Sequence, residues 1–180
     1  MIIQAYHGTD YGIAEKILNE GFLFKKNKEH WLGNGIYLFP DYSLAKWWTT
    51  QPSTQFGSKI SNPAIVSCDI EIEEEKILNL LSLEDYKQFS ELFEKSFLPT
   101  YKEYNPHKVP LWKQLRCTYC DFLKKTYELD AIIGNFNKPD QPYLPPKHKN
   151  VFDKFLLQYT EVQICVFNSK IIKNKKIERV

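Results

Sequence analysis

Cysteine is scarce in this chain: of 180 residues only four are cysteine, at positions 68, 117, 120 and 165. So few thiols at such irregular spacing exclude a disulfide framework. Cys117 and Cys120 have metal-type spacing, but no second pair or histidine cluster completes a tetrahedral zinc site. They lie among Trp112, Leu115, Tyr119, Phe122 and Leu123, the apolar face of an expected helix, and read as core residues. Long hydrophobic runs are also missing. No stretch approaches ~18 apolar residues, and the N-terminus has no basic region followed by an apolar core. The expectation is a cytoplasmic protein without a membrane partner. Net charge is only +2, so there is no strong global field toward nucleic acid. Locally, residues 71–94 carry a net −6 and residues 170–180 a net +4, the latter read as a solvated basic tail. A P-loop, a serine elbow and a paired-histidine zinc helix are all absent. Gly33-Asn34-Gly35 fails as a Rossmann fingerprint, because position 38 is Leu and a strand is expected to follow.

What is present is aromatic residues, at 15% of the chain, which suit a dense core or an aromatic-lined cleft. The length fits one domain, residues 1–180. Periodicity predicts a strand over 2–7, a turn at 8–10, and a helix over 12–20 stopped by Gly21 in left-handed geometry. A basic loop over 25–30, a strand over 35–39 and a helix over 42–49 capped by Asp41 follow. Further on come a strand over 64–72, an amphipathic helix over 84–97, a proline-bearing loop over 98–110 and a helix over 111–128. Short strands are expected at 130–134 and 161–168. Residues 135–150, with Pro139, Pro142, Pro145 and Pro146, form the longest stretch without a pattern. Such loops are functional or are plain crossovers.

Two segments carry the chemistry. Tyr6-His7-Gly8-Thr9 and Trp31-Leu32-Gly33-Asn34-Gly35-Ile36-Tyr37 place an imidazole and a phenol on apolar strands beside glycine. Glycine admits close approach of backbone to a ligand. Taken singly, a histidine after a strand reads as a satisfied turn residue and Tyr37 as strand core.

The ordered set changes that reading. His7-Gly8-Thr9, Gly12-Ile13, Ile17-Leu18, Gly21-Phe22 and Gly33-Asn34-Gly35-Ile36-Tyr37 resemble the front half of an ADP-ribosyltransferase domain of the diphtheria-toxin and poly(ADP-ribose) polymerase type. Trp48, eleven positions past Tyr37, falls where that family has a second aromatic, with Trp47 as the alternative after a one-residue shift. Glu161-Val162-Gln163-Ile164-Cys165-Val166 is similar to the family's late strand. The resemblance spans residues 5–48 and 129–172. It implies an α+β fold, mixed α/β, with two small, mainly antiparallel sheets flanked by helices and an NAD cleft between them.

For the site, the resemblance implies NAD as substrate and no metal. His7 would bind the adenosine-side ribose, Gly8 backbone the nicotinamide amide, and Tyr37 with Trp48 the nicotinamide ring. Thr9 and Gly35 would line the same site. Glu161 and Gln163, two apart on a strand, share one face. Gln163 aligns where the family usually has glutamate, and an amide carries no charge and is a poor general base. Gln163 at the ribose with Glu161 near the acceptor is the favoured assignment; the reverse stays open. Polymer extension is then disfavoured and a single transfer feasible. The resemblance makes Lys147, His148 and Lys149 candidates for contact with a macromolecular acceptor, protein or nucleic acid. It points to a bacterial or phage toxin or effector, with an antitoxin or inhibitor protein as a further partner. The alternatives are an NAD glycohydrolase, a relative acting on a phosphorylated RNA end, and a catalytically silent NAD- or ADP-ribose-binding module.

Overall fold

The computed structural model describes residues 1–50, 60–104, 111–136, 154–155 and 160–180. Strand β1 (Ile2–Asp10) leads into helix α1 (Tyr11–Glu20), then β2 (Ile36–Leu38), α2 (Tyr42–Thr50), β3 (Pro63–Glu71) and β4 (Ile77–Asn79). Helices α3 (Leu83–Leu92), α4 (Leu98–Tyr104) and α5 (Trp112–Thr126) follow, then β5 (Ala131–Phe136), β6 (Glu161–Val166) and β7 (Ile172–Arg179). The fold is α+β. One sheet is antiparallel in the order β1-β3-β7; the other runs β2-β6-β5-β4, antiparallel except for the β4–β5 pair.

Period-two burial orients both sheets around a common core. Ala5 of β1, Ala64, Val66, Cys68 and Ile70 of β3 and Ile172 of β7 meet Ile36 and Leu38 of β2, Ala131 and Ile133 of β5, and Ile164 and Val166 of β6. Ala14 and Ile17 of α1 close that core from the side. Helix α2 covers the far face of the three-stranded sheet through Leu44 and Ala45, which meet Ile65. On the far face of the four-stranded sheet, Cys120 of α5 meets Ile132 and Cys165.

Several local expectations need correction. Residues 8–10 continue β1 rather than turning, because Gly8, Thr9 and Asp10 pair with Ile65, Ala64 and Pro63. The turn is delayed to Asp10, whose carboxylate accepts from Gly12 N–H at 3.0 Å and caps α1. Gly21 does end α1, with φ +89° and its N–H bonded to Ile17 O, but its ψ of 174° is extended rather than left-handed helical. Residues 98–104 are helical rather than loop. Pro99 lacks the N–H needed mid-helix, and the π-helical turn Phe93–Phe97 just before it absorbs the mismatch. Positions 105–110 and 137–150 lie outside the described residues.

The basic end at 170–180 is no solvated tail: it is β7, which pairs along β3 from Ile70↔Ile172 to Ala64↔Arg179. Lys173 and Lys176 face outward, Lys175 donates from Nζ to Ile17 O at 3.1 Å, and Ile172 and Ile177 join the core. Strand β4 is also absent from the sequence reading. Its three residues are too short to show a period.

Cys68, Cys117, Cys120 and Cys165 are all reduced and buried, as expected of core cysteines. Burial pushes the Cys68 and Cys120 thiols up to about 12. Among the described residues, no helix is long and apolar enough to cross a membrane.

Candidate functional site

Among the described residues, the backbones of the two sheets are bonded at one bridge. Tyr6 N–H donates to Phe39 O at 2.7 Å and Phe39 N–H to Tyr6 O at 2.8 Å, an antiparallel pair. Continued by one more rung, that register would set Gly8 opposite Tyr37. Among the described residues no ladder forms between β1 and β2 beyond this bridge. The strands divide instead. Backbone polar groups alternate sides along a strand, so Gly8 N–H and C=O point the same way as those of Tyr6, toward the gap. Tyr37 N–H points into it from β2 by the same reasoning, since Phe39 is its neighbour two positions on.

His7 holds the split. Its Nδ1 lies 2.9 Å from Tyr37 O, and a carbonyl only accepts, so Nδ1 carries the proton and Nε2 keeps its lone pair. The ring packs edge-on to Phe22, with centroids 5.5 Å apart. Burial lowers its pKa, only partly opposed by the bond to Tyr37 O. His7 is therefore neutral, in one tautomer, at physiological pH.

Gly8 has a packing role as well. A Cβ there would stand 2.3 Å from Ala45 O and 2.8 Å from Thr49 Cγ2, so glycine lets α2 lie directly on β1. Gly35 is similar just before β2: a Cβ would meet Val166 O at 2.6 Å and Cys165 Sγ at 2.7 Å.

Tyr37 is anchored at both ends. Its hydroxyl accepts from Leu32 N–H at 2.7 Å and donates to Gly33 O at 2.8 Å, while its carbonyl accepts a hydrogen bond from His7 Nδ1–H. Burial pushes the phenol well above its ordinary pKa, which keeps it a neutral donor. The hydroxyl is thus committed to the preceding loop, and the ring face, 5.4 Å from the His30 ring, is what Tyr37 offers to a ligand.

Glu161, Gln163, Cys165 and Tyr37 share one face of the four-stranded sheet. Tyr37 pairs with Cys165, which sets Gln163 at the diagonal position about 7–8 Å away. Across β5, Gln163 faces Gly134 and Glu161 faces Phe136. The Gln163 Nε2 donates to Glu161 Oε1, and the Glu161 side chain is buried. The two side chains thus form one unit: an amide that orients a carboxylate.

A cleft of about 330 Å³ opens beside β2, with His7, Phe22, Lys25, His30, Gly35 and Tyr37 among the residues that line it. Thr9 is buried one position past Gly8. Trp48 sits on α2 with Tyr6, Tyr42 and Phe39, its ring 6.3 Å from that of Phe39. Trp47 is its half-buried neighbour. Lys147, His148 and Lys149 lie outside the described residues.

Sequence reading missed Asp121 and gave His30 only a place in a basic loop. Asp121 sits on α5, eighty-seven positions from the asparagine it grips, and no local pattern announces such a contact. Among the described residues, no group of three or more His, Cys, Asp or Glu side chains is arranged to hold a metal ion.

No protein-family model matches the chain. It is 28% identical over 187 residues to an uncharacterized protein of Methanocaldococcus jannaschii, an alignment that covers 93% of this chain and 83% of that protein.

Proposed function

We propose that the chain is a mono-ADP-ribosyltransferase of the ADP-ribosyltransferase fold, which moves ADP-ribose from NAD to a macromolecular acceptor and releases nicotinamide. The observation that carries this reading is the split between β1 and β2. There Gly8 N–H and C=O and Tyr37 N–H face a common gap. A primary carboxamide offers an NH2 group that donates and a carbonyl that accepts, and the C=O and N–H of Gly8 can engage one of each. Nicotinamide carries its carboxamide on a flat ring, which suits the Tyr37 face, where stacking adds ~1 kcal/mol beyond area burial.

The reaction breaks the bond between nicotinamide nitrogen and ribose C1′. The bonding pair leaves with nicotinamide and neutralises its ring, while positive charge builds on the sugar. His7, neutral and with Nε2 as acceptor, takes a ribose hydroxyl proton in a hydrogen bond and fixes the dinucleotide. Gln163 does the same on the other ribose through its amide. The acceptor's lone pair then forms the new bond to C1′, and its proton passes to Glu161, the carboxylate that Gln163 orients. Rate comes from orientation and from that nearby carboxylate, which supports the developing charge.

A second reading uses water as acceptor. The full burial of Glu161 beside Gln163 favours it, since a buried carboxylate suits an acceptor as small as water. One experiment separates the readings: labelled NAD is incubated with the protein and separate protein, RNA and DNA pools. Label on a pool names the acceptor class, and nicotinamide with no labelled pool indicates hydrolysis. Binding of NAD with no nicotinamide at all would leave a silent binding module, and no binding would end the proposal.

A further inference from the structure

A carboxylate on α5, outside the regions that resemble the transferase family, is hydrogen-bonded to the loop that holds the Tyr37 hydroxyl. Asp121 Oδ1 accepts from Asn34 N–H at 2.8 Å and its Oδ2 from Asn34 Nδ2 at 2.6 Å. The same Asn34 side chain uses its Oδ1 to accept from Asn27 N–H at 2.8 Å, so both ends of the amide are assigned. Cys117, one helical turn before Asp121, bonds Asn27 O through Sγ at 3.2 Å. Residues 27–34 are therefore held to α5 at both ends of their hairpin-like course.

What that loop carries is the socket for the phenol. Gly33 has φ +87°, a backbone state that side-chain-bearing residues rarely adopt, and a Cβ there would stand 2.9 Å from Asp121 Oδ1. That conformation aims Gly33 O at the Tyr37 hydroxyl while Leu32 N–H donates to it. From Asp121 the bonds run without a break through Asn34 and Gly33 to the Tyr37 hydroxyl, and from the Tyr37 carbonyl to His7 Nδ1.

We infer that Asp121 is a positioning residue for the NAD site: it touches no substrate, and it sets the Tyr37 ring plane and the His7 ring by fixing the loop between them. The inference rests on the transferase reading for its catalytic meaning, while the linkage itself is testable apart from it.

The test compares Asp121→Ala, Asp121→Asn, Asn34→Asp and the double variant Asn34→Asp/Asp121→Asn, each checked for folding by thermal unfolding. The double variant exchanges donor and acceptor and keeps both bonds: the new amide donates to the new carboxylate while its oxygen still accepts from the residue 34 N–H. Nicotinamide release is followed against NAD concentration. Asp121→Ala and Asp121→Asn should raise KM roughly tenfold to a hundredfold, the scale of a hydrogen bond to a charged group, with a smaller change in kcat. The double variant should recover most of that loss. In parallel, hydrogen exchange at the Leu32 amide should speed up in the single variants and return in the double.

Single variants that match wild type in KM and in Leu32 exchange overturn the inference, as does a double variant no better than Asp121→Asn. Should Asp121→Ala fail to fold, the Asp121→Asn and double-variant pair decides alone. Wild-type protein that neither binds NAD nor releases nicotinamide sinks the transferase reading, and the Leu32 exchange then judges the linkage by itself.

Discussion

Gly8 and Ala45 approach so closely that a single added methyl on Gly8 would lie 2.3 Å from the Ala45 carbonyl oxygen. The obstructing atom is helix backbone, which cannot rotate aside. Gly8→Ala should therefore displace α2 and destabilise the protein by about 1–3 kcal/mol, the usual scale of overpacking. Chemical denaturation measures it. An unchanged midpoint would mean α2 has room to move. Any loss of activity in this variant has to be corrected for that displacement before it is credited to a ligand contact.

Tyr37→Phe keeps the ring and removes the hydroxyl. Gly33 O and Leu32 N–H then lose their partner inside a half-buried loop, at a cost of about 1–3 kcal/mol. NAD affinity should fall less than in Tyr37→Ala, because the stacking face survives. Equal loss in the two variants would show that the ring face is not what the ligand uses.

The depressed pKa of His7 has a direction in pH. Its ordinary value is 6.5, and burial lowers it in the folded protein, so below about pH 6.5 the unfolded chain takes up a proton that the native state refuses. Stability should thus decline as pH falls from 6.5, by at most ~1.4 kcal/mol per pH unit for one such group. The half-buried ring keeps the slope below that limit. His7→Asn retains a donor for Tyr37 O without titrating in this range. Urea unfolding from pH 7.5 to 5 should show a shallower decline for the variant. His30, also shifted down by burial, contributes a similar slope in both proteins and cancels in the comparison.

Gln163→Glu would set two carboxylates side by side where an amide now donates to Glu161. Like charges in a buried pair raise at least one carboxyl pKa in the folded variant, so it binds a proton the unfolded chain has lost. The variant should be less stable than wild type at pH 8, and the gap should narrow as pH drops to about 5. A gap that is constant across this range would place the two side chains further apart than the Gln163–Glu161 bond implies.

The four buried thiols give a simple check on the core. At neutral pH a thiol reagent should label native protein slowly, since Cys68 and Cys120 are pushed up to about 12 and Cys165 is also raised, and only the thiolate reacts. Four thiols should react promptly in denaturant. Fast labelling of the native state would put at least one of them near solvent.

Much of the front of the molecule was legible because its signals are local. Apolar spacing in 12–20 marks α1, Asp41 caps α2 through a 2.7 Å bond to Ser43 N–H, and β1 and β2 are well separated along the chain. The shared face of Glu161 and Gln163 followed from strand alternation alone. What escaped depends on partners far along the chain. Strand β7 reads as basic tail because its outward residues are lysines, and only its pairing with β3 turns Ile172 and Ile177 inward. Asp121 looks like any polar helix position until the loop bearing Asn34 is laid against it. Helix α4 reads as loop because proline outweighs context in a local pattern, and a π turn is invisible to a 3.6-residue period.

The Tyr6–Phe39 bridge rests on two backbone bonds, and it is where the hydrogen-bonded frameworks of the two sheets touch among the described residues. Elsewhere the halves are joined by the His7 Nδ1–Tyr37 O bond and by side-chain packing, which slips more readily than a ladder. A slow opening motion would concentrate at this stitch, and the amides of Tyr6 and Phe39 would be the gauge that records how often the molecule unzips there.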